Sequence, residues 1–256
     1  MRPSGACCDP DTASASTAPG AEAARRIARL PRPLALGLSA WTSATIAAWG
    51  VAPFVAAGTW RAPALWAHHA TVAAGLLVRA RHVARRNPGL RARRRTIGGN
   101  TKRWDLAWVA AFWPLMAAIA VTAGLDHGAH GGATLPAPAW LAGLVLFAGA
   151  MAVSGRAQAV NPFFEGTARI QLDAGQRVVD AGPYRIVRHP GYLGLAGWAL
   201  ASPLLLLSVR ALVPALGAAA WVLLRTALED AMLRRELEGY AGYARRVRWR
   251  LVPGLW

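Results

Sequence analysis

Residues 106–125 read LAWVAAFWPLMAAIAVTAGL, twenty consecutive positions without a charge. As a helix such a run spans about 30 Å, the thickness of a bilayer's hydrocarbon core, and it is apolar on every face instead of along one stripe. Lipid is therefore the solvent this block calls for. The whole 256-residue chain agrees: 55% of its residues are hydrophobic, 16% are charged and the mean hydropathy is +0.28. Global disorder and an ordinary water-soluble domain are both excluded.

On the C-terminal side, residues 135–153 form another block of spanning length. Residues 190–209 and 211–224 are separated by little more than Arg210 and predict a tight helical hairpin, with kinks at Pro203 and Pro214. Residues 229–248 are charged and amphipathic, and predict one helix lying along the interface. On the N-terminal side, residues 34–57 are too long for the apolar stretch of a cleaved signal and read as a first span, and 62–78 form a shorter candidate carrying His68 and His69. Residues 1–33 are rich in Ala, Ser, Thr and Pro and predict a disordered basic tail in the cytoplasm. The chain thus divides into a tail (1–33), N-terminal transmembrane helices of variable character (34–134) and a membrane core (135–256).

The formal net charge is +17, from 29 Lys+Arg against 12 Asp+Glu, and its placement decides its meaning. The 79–103 loop holds ten cations and no acid, the 156–188 segment five, and the stretch after Leu224 seven. The intervening loops hold Arg61, none, and Arg210. Six spanning helices with both termini in the cytoplasm satisfy this alternation, five being the alternative count, and anionic membrane lipids are the partners such loops attract. A nucleic-acid groove would need the cations on one surface and is the weaker reading. Trp41, Trp60, Trp104, Trp140 and Trp198 fall near proposed helix ends, as interfacial anchors would. Lys102 is the only lysine, and arginine usage with abundant alanine suggests a GC-rich coding sequence and a bacterial inner (cytoplasmic) membrane. Cys7 and Cys8 are adjacent and support neither a disulfide framework nor a zinc site.

Between the fourth and fifth spans lies NPFFEGTARIQLDAGQRVVDAGPYRIVRHPGYLG, residues 161–194. Asn161-Pro162 stops a helix, the partly alternating run 170–179 predicts short extended pieces, and Gly182-Pro183 marks a turn. Pro190 suits the first position of a helix, with His189 as N-cap. The N–H groups of Gly191, Tyr192 and Leu193, with Arg188 beside them, would then form an anion site, and Gly191 and Gly194 would leave room for a ligand. Further on, Arg225 and Glu229 are four apart on one helix face, the spacing of an ordinary ion pair, but acids at a membrane boundary are costly without a task.

The run GPYRIVRHPGYLG (182–194), followed by Arg225, Glu229-Asp230, Tyr240, Tyr243, Val247 and Pro253, resembles the isoprenylcysteine carboxyl methyltransferase family and the related membrane phospholipid methyltransferases. The resemblance covers about residues 161–253. It implies an all-α integral membrane enzyme that transfers a methyl group from S-adenosylmethionine to a lipophilic acceptor, with the cofactor held by the loop, the fifth span and the end of the sixth. By position, the resemblance assigns cofactor contacts to Gln171, Gln176, Arg177, Val178 and Val179. It assigns further contacts to Tyr184, His189, Pro190, Gly191, Tyr192 and Glu229. Arg225 would face the methyl acceptor, and Arg225, His189 and Glu229 would form the catalytic group. Gln176 stands where the family often has His, and Asp230 where it commonly has Glu. The alternative is a non-catalytic scaffold or transporter accessory that keeps the fold, against which stand the chemically intact side chains at these positions. No metal is expected: Asp126, His127 and His130 in LDHGAHGG (125–132) have a spacing that permits weak zinc or nickel binding, but so Gly-rich a loop reads as a flexible connector.

Overall fold

The computed structural model describes residues 32–90 and 101–256. The expected N-terminal tail up to residue 31, both cysteines and part of the basic loop (91–100) lie outside the described residues. The described chain forms seven α-helices: α1 (Arg32–Ala57), α2 (Pro63–Arg86), α3 (Arg103–His130), α4 (Pro138–Val160), α5 (Pro190–Leu205), α6 (Leu212–Glu236) and α7 (Tyr240–Arg246). Among the described residues there is no strand, and the expected extended run 170–179 instead contains a 3₁₀ turn at Leu172–Ala174. It is half buried with no neighbouring strand to pair with, so its alternation never builds a ladder.

Three helices, α3, α4 and α6, are long and apolar enough to cross a membrane. Helix α5 has 16 residues, short of the roughly 20 that a perpendicular crossing needs. Two boundaries differ from expectation for the same reason: charge ends an apolar block, but only a backbone break ends a helix. Helix α3 passes through Asp126 and His127 and stops at Gly131, whose φ of 68° is the left-handed C-terminal cap, so this stretch is no flexible connector. Helix α6 continues past Leu224 to Glu236, and the interfacial helix expected over 229–248 is divided, with Gly239 (φ 78°) leading into the short α7. Pro214 lies in the first turn of α6, where proline is tolerated, and Pro203 in the last turn of α5.

The most extensive helix contacts are α4 with α5 and α1 with α3. Both depend on close approach at glycine. A Cβ on Gly194 would lie 2.6 Å from the Ala150 carbonyl oxygen, and one on Gly124 would lie 2.1 Å from that of Pro53. The main core runs through the bundle around Leu65, Phe112, Ile119, Leu205 and Val222. A second core of Ile170, Met232, Tyr240, Tyr243 and Val247 lies beneath the 161–189 segment. Trp198, expected as an anchor, is buried in the middle of α5 with its indole edge-on to Trp113 of α3.

Candidate active site

The framework of the site begins at Asp230, which is 1% exposed. Its carboxylate accepts hydrogen bonds from Arg188 (2.7 and 3.2 Å), Arg234 (3.0 Å), Arg250 (3.1 Å) and the Tyr240 hydroxyl (2.9 Å). Arg188 also donates to the carbonyls of Val247 and Arg248, and the backbone N–H groups of Arg188 and His189 donate to those of Trp249 and Arg250. One carboxylate thereby joins α6, the start of α5 and the segment after α7. A buried acid with so many donors is held as the anion.

His189 caps α5 and Pro190 takes its first position, as expected. The imidazole Nε2 is 3.3 Å from Asp230 Oδ1 and 3.2 Å from the Tyr240 oxygen, and the ring stacks on Tyr192 at 5.8 Å. Since Tyr240 gives its own proton to Asp230, both Nε2 contacts are with oxygens that can accept an N–H from the ring. Burial pushes the Tyr184, Tyr240 and Tyr243 hydroxyls well above the usual phenol range, with Asp230 adding to the effect at Tyr240. All three remain neutral: the Tyr243 hydroxyl donates to the Tyr184 carbonyl at 2.7 Å, and the Tyr184 hydroxyl oxygen accepts from Asn161 Nδ2 at 3.0 Å.

Arg225 has a partner that the sequence reading missed. Its Nε lies 2.8 Å from Oδ1 of Asp105, a fully buried acid in the first turn of α3, and its Nη2 donates to Oδ2 at 3.1 Å and to the Gly166 carbonyl at 2.9 Å. The guanidinium lies 4.1 Å from the Trp108 ring centre and 5.1 Å from that of Tyr192. Asp105 also accepts the Ala168 N–H at 2.6 Å. The signal for Asp105 was available, because it is the only acid between Glu22 and Asp126 and it heads an uncharged block of twenty residues. Glu229, four residues from Arg225, takes a different partner, accepting a short hydrogen bond from the Tyr192 hydroxyl.

Around these groups is a cavity of about 200 Å³. Gln171, Gln176, Arg177, Val178 and Val179 line it from the loop, Tyr184, His189, Gly191 and Tyr192 from the turn and α5, and Arg225 and Glu229 from α6. Of the expected site residues only Pro190 is absent from the wall; its part is to start the helix. Gln171 is fixed by its Nε2, which donates to the Phe163 carbonyl at 2.6 Å, and its backbone N–H, which donates to Gln176 Oε1 at 2.7 Å. Its Oε1 is buried without a hydrogen-bond partner. A carbonyl in that state is prepared for a donor from a ligand.

The predicted anion site is reduced. The N–H groups of Tyr192 and Leu193 already donate to the His189 carbonyl, leaving that of Gly191, and Arg188 is consumed by Asp230. Nor do the glycines open space: the Phe164 ring lies where a Gly191 Cβ would be, 2.5 Å away, and Gly194 is filled by α4. Phe164 also lines the cavity, and its displacement would enlarge it. Asp126, His127 and His130 do not form a metal site, and no group of three metal-ligating side chains occurs among the described residues. Asp126 accepts from the Thr134 and Ser208 hydroxyls at 2.6 and 2.7 Å, whereas His127 Nε2 turns away to the Leu206 carbonyl at 2.7 Å.

Residues 141–235 match the isoprenylcysteine carboxyl methyltransferase (ICMT) family. The matched segment contains α5, most of α4 and α6, and the whole loop between α4 and α5, so the cavity lies largely within it. Asp105 and Tyr240, which hold Arg225 and His189, fall outside it. No match emerges among curated proteins. The ICMT match supports a methyltransferase, and the three membrane-length helices support an integral membrane protein.

Proposed function

We propose that this protein transfers a methyl group from S-adenosylmethionine to a lipophilic or membrane-associated acceptor at the cytoplasmic face. The reading is carried by one observation: within the ICMT-matched segment, Glu229 and Gln171, whose buried Oε1 has no hydrogen-bond partner, line one cavity beside the start of α5. These groups fit the cofactor's ends. Glu229 is a partner for an α-ammonium, Gln171 Oε1 accepts an N–H, and the Gly191 N–H at the positive end of α5 suits a carboxylate. The faces of Tyr184 and Tyr192 favour a cation.

When bound, S-adenosylmethionine supplies an activated methyl on a sulfonium centre. The protein's own contribution is alignment, worth about 7–11 kcal/mol of barrier when well achieved. Arg225 on the cavity wall, fixed by Asp105, would orient the acceptor. A carboxylate acceptor needs no base; an amine or thiol would use His189 or Glu229. Helices α1–α6 would be the six crossings, with both termini cytoplasmic in a bacterial inner membrane and the N-terminal helices preceding a core from residue 135 onward. The alternation of cation-rich and cation-poor loops supports that topology.

The test is calorimetric titration of the detergent-purified protein with S-adenosylmethionine. Binding should be present in the wild type and lost in Glu229→Ala and Gln171→Leu, with labelled methyl appearing in a carboxylate, amine or thiol amphiphile. A folded wild type that binds none overturns the reading.

A further inference from the structure

Helices α2 and α4 leave between them an apolar groove of about 580 Å³, walled by Gly75, Val78, Leu144, Phe147 and Met151. The Phe147 ring rests on Gly75, where a Cβ would lie 2.5 Å from it, and so forms the groove floor. One end differs in character. Arg79 and His82 of α2 and Arg156 of α4 meet there, and no acid occurs among its described lining residues. The meeting is set by Gly155: a Cβ on it would lie 3.3 Å from Arg79 Cγ and 3.9 Å from His82 Cδ2, so both α2 side chains cross α4 at this point. His82 and Arg156 are exposed, and Arg79 is half buried with a 3.3 Å hydrogen bond to Ser154.

We propose that this groove binds an anionic phospholipid, with one acyl chain along the apolar walls and the phosphate between Arg79, His82 and Arg156. A void of this size and apolarity does not hold ordered water, and in a bilayer the available filler is a hydrocarbon chain. The cluster at one end selects the headgroup, since basic pockets between membrane helices on the cytoplasmic side attract anionic lipid. Arg79 and Ser154 also line the active-site cavity. A seated lipid therefore closes that cavity toward the bilayer on the α2–α4 side. The inference rests on the membrane embedding of α2 and α4, not on methyl transfer.

The experiment is native mass spectrometry of the full-length protein in detergent, titrated with phosphatidylglycerol or with phosphatidylcholine of the same chains. The wild type should retain the anionic lipid selectively. The double variant His82→Gln/Arg156→Gln should weaken retention by roughly fivefold or more, the loss expected for one arginine contact. Ala148→Trp should weaken it by filling the groove with the cluster intact, and Arg81→Gln, the same charge change on α2 away from the groove, should leave it unchanged. Equal retention of both lipids, or an Arg81→Gln loss as large as that of the double variant, overturns the proposal. Displacement of the phospholipid by a prenylated carboxylate would assign the groove to a methyl acceptor and overturn it too. The readout needs neither cofactor nor turnover, so its failure is distinct from failure of the methyltransferase reading.

Discussion

The two ends of the bundle each bury an aspartate, and they use it alike. At one end Asp126 ties α3 to the turn between α5 and α6 through Thr134 and Ser208; at the other, Asp230 ties α6 to the start of α5 and the C-terminal segment. Neither lines the active-site cavity. What sets the second end apart is the neighbouring acid. Glu229 is half buried, lines the cavity and has the Tyr192 hydroxyl as its partner, whereas Asp126 and Asp230 are closed off at 0% and 1% exposure. A buried carboxylate therefore marks a joint, and one beside empty space marks a binding group.

The sharpest way to break this comparison is Asp230→Ala. It strands Arg188, 4% exposed, without its counter-charge and should cost about 3–5 kcal/mol in detergent unfolding experiments. If Asp230→Ala unfolds no more easily than Asp126→Ala, the two ends are not built as described. Asp105→Ala should come next, at about 3 kcal/mol, because Arg225 keeps the Gly166 carbonyl and the Trp108 face. It should also lower turnover, through Arg225, more than it lowers cofactor affinity. Asp126→Ala strands hydroxyls that can rotate to other partners and should cost about 1–3 kcal/mol, with S-adenosylmethionine affinity unchanged. The smallest effect on stability belongs to Glu229→Gln, within about 0.5 kcal/mol of wild type. Its cofactor affinity should nevertheless fall tenfold or more, as a charged hydrogen bond worth about 1.5–3 kcal/mol becomes a neutral one. A stability loss in Glu229→Gln comparable to that in Asp230→Ala would make both acids structural.

Much of the site was legible because its signals are local. Asn161-Pro162, Gly182-Pro183 and His189-Pro190 each force a backbone event, and each occurs where the residues place it. The loop contributions of Gln171, Gln176 and Tyr184 followed from the ICMT-like pattern around them. The choice of Glu229 over Asp230 came from the resemblance and not from periodicity, because adjacent residues on a helix point about 100° apart; what no pattern announced is the set of donors gathered by Asp230. Arg188 was misread for a related reason. Its partners are an acid 42 residues on and the carbonyls of Val247 and Arg248, which no local pattern announces. The helix boundaries at His130 and Glu236 were hidden because charge was taken as a stop signal, whereas α3 and α6 continue through charged residues until the backbone breaks.

The pairing of Asp105 with Arg225 constrains how such proteins can be recombined. The arginine lies inside the ICMT-matched segment and its counter-ion outside it, 120 residues earlier. A chimera that grafts residues 141–235 onto foreign N-terminal helices would bring a buried guanidinium without its acid. An acid at the head of the third helix and an arginine midway along the sixth must then be inherited together, and an exchange that separates them should yield protein that fails to accumulate.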